Sequence, residues 1–481
     1  MKKLIDYKEE IHKCSKCGLC QSVCPVYKIT GNDCSVSRGK FIMLNGIIKG
    51  DLKLNKNVNK YLDMCLKCNA CKDFCPSDID ARQIFLTAKS EYFKQAPEKK
   101  IISLFQSKFV FKFVLNIVKI AINTYRFLKF DKLARKFYPI LTKRMRKNPK
   151  NDSFLRFFKS DLGSARTHTS CGIAGDMGAS RTREIARKIP NFSASSKMGN
   201  LGKKIILTNE FVSTNVVGQE CPTYEYDQNS SSSSGIPARQ RKTMKVVYFK
   251  GCVNEFINPK AKNAAENVLT RMGVEILPVN FECCGVPFLS CGNVEQFKKQ
   301  AVFNLSQIPD DFDFFLTDCA SCQNAFEEYK YYIEDKTLLK KLKKIQEKSI
   351  NINEFVVKNA KSIEFAQKVS FTFHKPCHLE NTDFIKEFLG KSKNIEYVEM
   401  KDFDKCCGFS GEFAIKNPAL SEQISSDKAQ NASDTNADYI LTSCPACVLG
   451  LTQGLIANSM NLTDYLPLNF IEFIALAEKI C

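Results

Sequence analysis

A string of four cysteines occurs twice near the start of the chain, CSKCGLCQSVCP from Cys14 to Pro25 and CLKCNACKDFCP from Cys65 to Pro76. Each copy spells Cys-x2-Cys-x2-Cys-x3-Cys-Pro. Gaps of two residues let a tight turn present three sulfurs to one face of a metal group while backbone amides point the same way. The proline that closes each run keeps a helix from continuing back over the sulfurs. A segment built like this folds around an inorganic centre.

Zinc ribbons and fingers also use Cys-x2-Cys pairs, but a zinc ion takes four ligands and gives no reason for two identical runs that each end in proline. The runs resemble those that hold 4Fe-4S clusters in bacterial ferredoxins, where three cysteines of a run serve one cubane and the fourth crosses to the other. That resemblance implies two ligand sets: Cys14, Cys17, Cys20 and Cys75 for one cluster, and Cys65, Cys68, Cys71 and Cys24 for the other. The chain has 23 cysteines in 481 residues. Its opening MKKLIDYKEEIHK has no apolar stretch before the first cysteine, so a cytoplasmic, reducing compartment is expected, where abundant thiols point to metal rather than to bridges.

A second cysteine pattern appears twice in the C-terminal half. VVYFKGC ends in Cys252, FECCGVPF carries Cys283 and Cys284, and FFLTDCASC carries Cys319 and Cys322. In the same order, VSFTFHKPC ends in Cys377, KCCGFSGEF carries Cys406 and Cys407, and YILTSCPAC carries Cys444 and Cys447. Matched order and spacing mark an internal duplication. Val246–Phe249, Phe314–Thr317, Val369–Phe373 and Tyr439–Thr442 read as short buried parallel strands, with helices such as 259–272 and 421–432 between them. The alternation predicts an α/β fold with its cysteines at the carboxyl edge of the sheet. Each Cys-x2-Cys should enter a helix, where free amides and the helix dipole favour thiolate. Adjacent cysteines in Cys-Cys-Gly suit bridging or splayed attachment, because neighbouring α-carbons lie about 3.8 Å apart. Gly285 and Gly408 should take a backbone conformation closed to other residues and approach the bound group closely. His374 and His378 flank Cys377 and are expected to support the site or the fold around it rather than to ligate.

The formal net charge is +20. Between Lys94 and Lys150 the only acids are Glu98 and Asp131, and Lys108, Lys112, Lys119, Arg126 and Lys129 fall on one stripe at helical spacing. A helix of this kind is too interrupted by charge to cross a bilayer but suits either an anionic membrane surface or packing between domains. Nucleic acid is not expected as a partner, since no recognition motif accompanies the charge. NSSSSSGIPARQRK reads as a flexible tether. The predicted organisation is 1–95, a small α-helical two-cluster module; 96–150, a basic amphipathic segment; 151–244, a linker; and 245–365 and 366–481, the duplicated α/β cysteine-rich domains. Cys34, Cys171, Cys221, Cys291 and Cys481 lie outside both patterns and receive no ligand role.

A two-cluster module followed by two Cys-Cys-Gly modules resembles the glycolate oxidase iron-sulfur subunit and the lactate-utilisation iron-sulfur proteins. The likeness is carried by both cysteine runs, by CPVYKITGNDCSVSRGKFIML after the first, and by CCGFSGEFAIKNPALSEQISSDKAQNASDTNADYILTSCPAC near the end. It implies an electron-transfer subunit of a flavin-dependent 2-hydroxy acid dehydrogenase, working with an FAD-containing partner and passing electrons towards quinone at the inner face of the cytoplasmic membrane. Cys252, Cys283, Cys284, Cys319, Cys322, Cys377, Cys406, Cys407, Cys444 and Cys447 would then hold one or two further clusters. No flavin is expected on this chain, which has no G-x-G-x-x-G after a predicted strand. The same domain order is similar to the fused catalytic subunit of heterodisulfide reductase, which would make the Cys-Cys-Gly sites themselves cleave a disulfide.

Overall fold

The computed structural model describes residues 2–96, 243–460, 462 and 465–481, all of which fall in one compact unit. The expected basic helix and tether, and with them Cys171 and Cys221, lie outside the described residues.

Residues 2–96 are helical. The first cysteine run forms the short helix Leu19–Val23, broken at Cys24, and Pro25 opens the next helix, Pro25–Thr30, at its first position. Proline there forfeits only an amide that would have no helical partner, so it both ends one helix and starts another. Two longer helices, Ser37–Lys49 and Ala81–Gln95, supply the core of this module. Asp80 starts the second by accepting from the Gln83 amide at 3.1 Å. Their inner faces bring Phe41 against Phe85, with centroids 5.3 Å apart, among Leu44, Leu62, Ile84 and Ala88.

The C-terminal half contains two parallel sheets of one plan. Strands β1 (Lys245–Phe249), β2 (Glu275–Ile276), β3 (Phe314–Thr317) and β4 (Ser349–Asn351) lie in the order β2-β1-β3-β4. Strands β5 (Ile363–His374), β6 (Ser392–Tyr397), β7 (Tyr439–Thr442) and β8 (Leu466–Asn469) repeat it as β6-β5-β7-β8, and β9 (Lys479–Ile480) pairs antiparallel with β5. All the other pairings are parallel. The duplication read from the cysteines is therefore a duplication of topology. Phenylalanines fill both interiors: Phe249 packs on Phe281 at 4.8 Å and on Phe326 at 5.1 Å, and Phe388 on Phe470 at 5.1 Å.

The two sheets' cysteine edges meet. The Ala320 amide donates to the Ser443 carbonyl at 3.1 Å, Asn353 donates to Ser443 Oγ at 2.9 Å, and Asn469 donates to the Asp318 carbonyl at 3.0 Å. The N-terminal module docks on both. Arg82 reaches Glu328 at 2.9 Å and Gln83 reaches the Tyr332 hydroxyl at 3.1 Å in the first cysteine-rich module. Lys67 and Lys89 reach Glu412 in the second, at 3.2 and 2.8 Å. Among the described residues, no helix is long and apolar enough to cross a membrane.

Candidate metal centres

The two N-terminal runs fold alike down to single residues. Lys16 and Lys67 both have φ 60°, and Gly18 and Asn69 have φ 90° and 62°. Left-handed residues alternating with right-handed ones curl successive amides inward, a concavity suited to an anionic group. The Lys67 amide already lies 3.4 Å from Cys65 Sγ. Cys14, Cys17, Cys20, Cys71 and Cys75 line one cavity with about 430 Å³ of empty space, and Cys24, Cys65, Cys68 and Cys71 line a second of about 450 Å³. The fourth cysteine of each run thus faces the other run's cavity. Soft thiolates around a concave amide surface fit a 4Fe-4S cluster in each; the linings bring together the cysteines of each expected set, with Cys71 bordering both cavities.

Charge is arranged around the second cavity. Lys40 is fully buried, its ammonium donating to the Ser35 carbonyl and lying 5.7 Å from the Phe85 ring. Burial lowers its pKa, and the neighbouring Cys65, Cys24, Cys71 and Cys20 thiols pull the other way. Burial pushes Cys71 up to about 12, although Ser37 hydrogen-bonds to it. Each group would be relieved by an ionised thiolate bound to metal.

In the cysteine-rich modules the structure gathers all ten expected cysteines at the carboxyl edges. Cys319 and Cys444 stand at the N-termini of the helices Ala320–Glu328 and Pro445–Ala457, as the spacing predicted. Thiolate character follows the sulfur contacts more than the helix ends. Cys284 takes hydrogen bonds from Cys283 and from Cys322, whose sulfur is 3.5 Å away, and these draw its pKa down to about 5 against burial. Cys407 is drawn down in the same way by Cys406 and by Cys447, 3.4 Å away. Cys322 and Cys447 are pushed up by donating to Cys284 and Cys407 and by burial. At the helix starts, donation from Cys319 draws Cys444 down; Cys319 gains from Cys322 but rises overall because it donates to Cys444 and is buried. Gly285 and Gly408 have φ 86° and 79°. An added Cβ would lie 2.7 Å from Phe297 and 2.8 Å from Ile424. The left-handed backbone is as expected, but the close approach seen is to a packed neighbouring helix, Phe297 and Gln300 for Gly285 and Ile424 and Ser421 for Gly408.

Sulfur contacts run through the whole molecule. Cys68 of the N-terminal module is hydrogen-bonded to Cys406, which also bonds to Cys377. Cys444 of the second module bonds to Cys319 of the first. Cys252 and Cys283 lie 3.5 Å apart at the far end. No motif spacing announced the contacts of Cys68 with Cys406 and of Cys319 with Cys444, because they join residues from different modules.

Three further side chains stand at the sites. Asp318, beside Cys319, is fully buried; burial raises it to about 7 although Tyr248 donates to it at 2.8 Å. Ser443 holds the corresponding place before Cys444. His378 joins all three modules, with Nδ1 3.2 Å from Ser321 Oγ and Nε2 3.3 Å from the Lys67 carbonyl. His374 is buried, with Nδ1 3.2 Å from the Phe403 carbonyl. Of the unassigned cysteines, Cys34 is a free thiol and Cys481 is disulfide-bonded.

Comparison with known proteins agrees with this geometry. Residues 10–79 match the 4Fe-4S dicluster domain family, and residues 246–327 and 371–452 each match the cysteine-rich domain family. The chain belongs to the iron-sulfur proteins that join a dicluster module to twin cysteine-rich domains. This iron-sulfur protein is similar to Lactate utilization protein A of Bacillus cytotoxicus and of Bacillus cereus, at 29% identity over 216 residues, 43% of this chain and 90% of each relative. A crystal structure of a hypothetical protein from Helicobacter pylori aligns over 76% of both chains at 13% identity with a TM-score of 0.38, too slight a likeness to bear on function.

Proposed function

We propose that this iron-sulfur protein is the electron-transfer subunit of a flavin-dependent dehydrogenase of a 2-hydroxy acid such as lactate or glycolate. It receives electrons from an FAD-containing partner and passes them towards quinone at an anionic membrane surface. The observation that carries this reading is the unbroken series of sulfur contacts from the N-terminal module through Cys68, Cys406 and Cys444 to Cys319. Clusters bound at these thiols supply reversible one-electron chemistry.

The chain's own residues do the rest. The N-terminal cysteines and their inward amides hold and orient the groups. Lys40 and Lys67 place buried positive charge beside the second cavity, which favours any state of that site carrying an added electron. Phe41 and Phe85 pack against the cavities and limit the access of water. The relatives' printed name, Lactate utilization protein A, supports the choice of substrate class.

A second reading, a catalytic disulfide reductase, draws on the junction of Cys319 with Cys444, which puts both Cys-Cys-Gly sites beside one another. One experiment separates the two. Anaerobically purified protein is assayed for iron and acid-labile sulfide, reduced, and offered a disulfide without any partner. Appreciably more than about eight irons per chain is expected, because two cubanes account for eight, and no turnover of the disulfide is expected. Eight irons or fewer removes metal from the duplicated half, and turnover of the disulfide overturns the electron-transfer reading.

A further inference from the structure

The duplicated modules differ at one position that faces the metal site. The register of β1 on β3 sets Phe249 opposite Thr317, and that of β5 on β7 sets His374 opposite Thr442. Phe249 and His374 each stand three residues before the first cysteine of their module, Cys252 and Cys377. They are equivalent places in the two copies. In the first module Phe249 is packed among Phe281, Phe315 and Phe326, at 4.8, 6.3 and 5.1 Å between centroids. The second module has an imidazole there.

That imidazole is held as a ligand is held. Its Nδ1 pairs with the Phe403 carbonyl, so the ring is fixed and Nε2 is left to face the site. Metal-bound histidines commonly anchor the remote nitrogen on a backbone carbonyl. His374 Nε2 is buried and has no hydrogen-bond partner, which leaves a polar nitrogen uncompensated in the interior. A ligand atom of His374 and the sulfurs of Cys407 and Cys447 all lie within 4.8 Å of one another, and Cys407 to Cys447 is 3.4 Å. Tetrahedral ligands about 2.0–2.3 Å from one metal sit roughly 3.3–3.8 Å apart. Among the described residues this is the one group of three or more histidine, cysteine or carboxylate ligand atoms within 4.8 Å of one another, close enough for a bound ion to draw them to that spacing.

We propose that His374 Nε2 binds metal, and that with Cys407 and Cys447 it makes a mixed nitrogen–thiolate site in the second cysteine-rich module which the first module does not have. The metal is a borderline one, iron of a cluster or a single zinc ion, since both accept imidazole beside thiolate. The inference rests on the reading that the second module is metallated. It makes the two halves of the duplication chemically unequal: all-sulfur ligation in the first, nitrogen and sulfur in the second.

The test uses full-length protein, anaerobically purified from cells fed 14N- or 15N-histidine. Only four histidines are present, so a nitrogen signal has few sources. Iron-bound nitrogen is read by electron–nuclear double resonance on the reduced protein, and zinc-bound nitrogen by X-ray absorption at the zinc edge; the edge that responds identifies the metal. Histidine nitrogen, isotope-sensitive in the magnetic-resonance spectrum of iron or seen as an imidazole shell at the zinc edge, is expected in the wild type, lost in His374→Phe, which copies the first module, and retained in His378→Ala. Metal in the second module with sulfur ligation alone, or a nitrogen signal unchanged in His374→Phe, overturns this inference and leaves the proposed function standing. Iron at eight or fewer per chain with no zinc leaves the second module without metal and overturns this inference together with the reading of metallation on which it rests. If His374→Phe does not fold, the wild-type labelling comparison still decides, because absence of bound histidine nitrogen there is sufficient to reject the site.

Discussion

Glu412 is a carboxylate shared among ammonium groups. Lys67 and Lys89 lie 3.2 and 2.8 Å away, Lys416 pairs with it as well, and Asp63 joins through Lys89 at 2.7 Å and Lys416 at 2.8 Å. Burial alone would raise the pKa of Glu412, but Lys67, Lys89 and Lys416 overrule it and hold the carboxyl well below its ordinary range. Lys89, equally desolvated, gains from both Glu412 and Asp63 and rises, whereas for Lys67 burial and the neighbouring Lys89 charge outweigh Glu412 and its pKa falls. Removing one partner of a buried ion pair costs about 3–5 kcal/mol, so Glu412→Gln should lose roughly that much, read as a lower midpoint in denaturant unfolding. The sign of the pH effect follows. A carboxyl depressed in the folded state contributes fully above its unfolded value, about 4.3, and loses that contribution as pH falls through the lower folded value. Unfolding of the wild type should therefore steepen below about pH 4.3, and Glu412→Gln should flatten that slope. An equal slope in both proteins would remove Glu412 from the account.

At the scale of elements, the second cysteine-rich module depends on two helices that touch backbone to backbone. A Cβ on Gly454, in the helix Pro445–Ala457, would lie 1.9 Å from the Ser425 carbonyl oxygen of the helix Pro418–Ser433 and 2.7 Å from Ala429 Cβ. Alanine is the better helix former by about 1 kcal/mol, yet it would force the pair apart, and overpacking typically costs about 1–3 kcal/mol. Gly454→Ala is expected to lower Tm; a rise would mean that propensity outweighs contact. The four central apolar strands and the two helices named from the sequence were legible because their patterns are local: Phe314–Thr317 and Tyr439–Thr442 are strands as read, and the helix expected over 421–432 is Pro418–Ser433. The other strands were not read: β2, β4 and β9 are two or three residues long, β6 (SKNIEY) is largely polar and β8 (LPLN) contains a proline. β5 begins at Ile363 rather than Val369, because an irregularity between Glu364 and Val369 carries its charged start onto β6 and β9. The site divides in the same way. Cysteine spacing announces every sulfur, but Glu412, Lys89 and the junctions of Cys68 with Cys406 and of Cys319 with Cys444 arise from packing between modules, which no window of sequence contains.

For the whole molecule, the N-terminal module lies at one end of the series of sulfur contacts and opens it to the outside. Cys17 is exposed, and Leu19 and Phe74, which line the same cavity, are 48% and 56% exposed. Exposed apolar side chains rimming a redox site suit a docking partner. If the proposed flavoprotein docks there, Leu19→Ala and Phe74→Ala should slow its reduction of this protein while leaving the midpoint potentials nearly unchanged; rates equal to wild type would move docking elsewhere. The same module's seam with the second cysteine-rich module closes late. Lys89 and Glu412 are 323 residues apart, a stretch that takes roughly 15–65 s to synthesise at about 5–20 residues per second. Until the ribosome delivers Glu412, Lys67 and Lys89 have Asp63 alone to answer two ammonium charges, and sealing them from water is costly. In that interval nothing from the C-terminal half neutralises Lys67 where it lines the Cys65–Cys71 pocket, so the pocket is expected to stay open to an incoming cluster until Glu412 arrives.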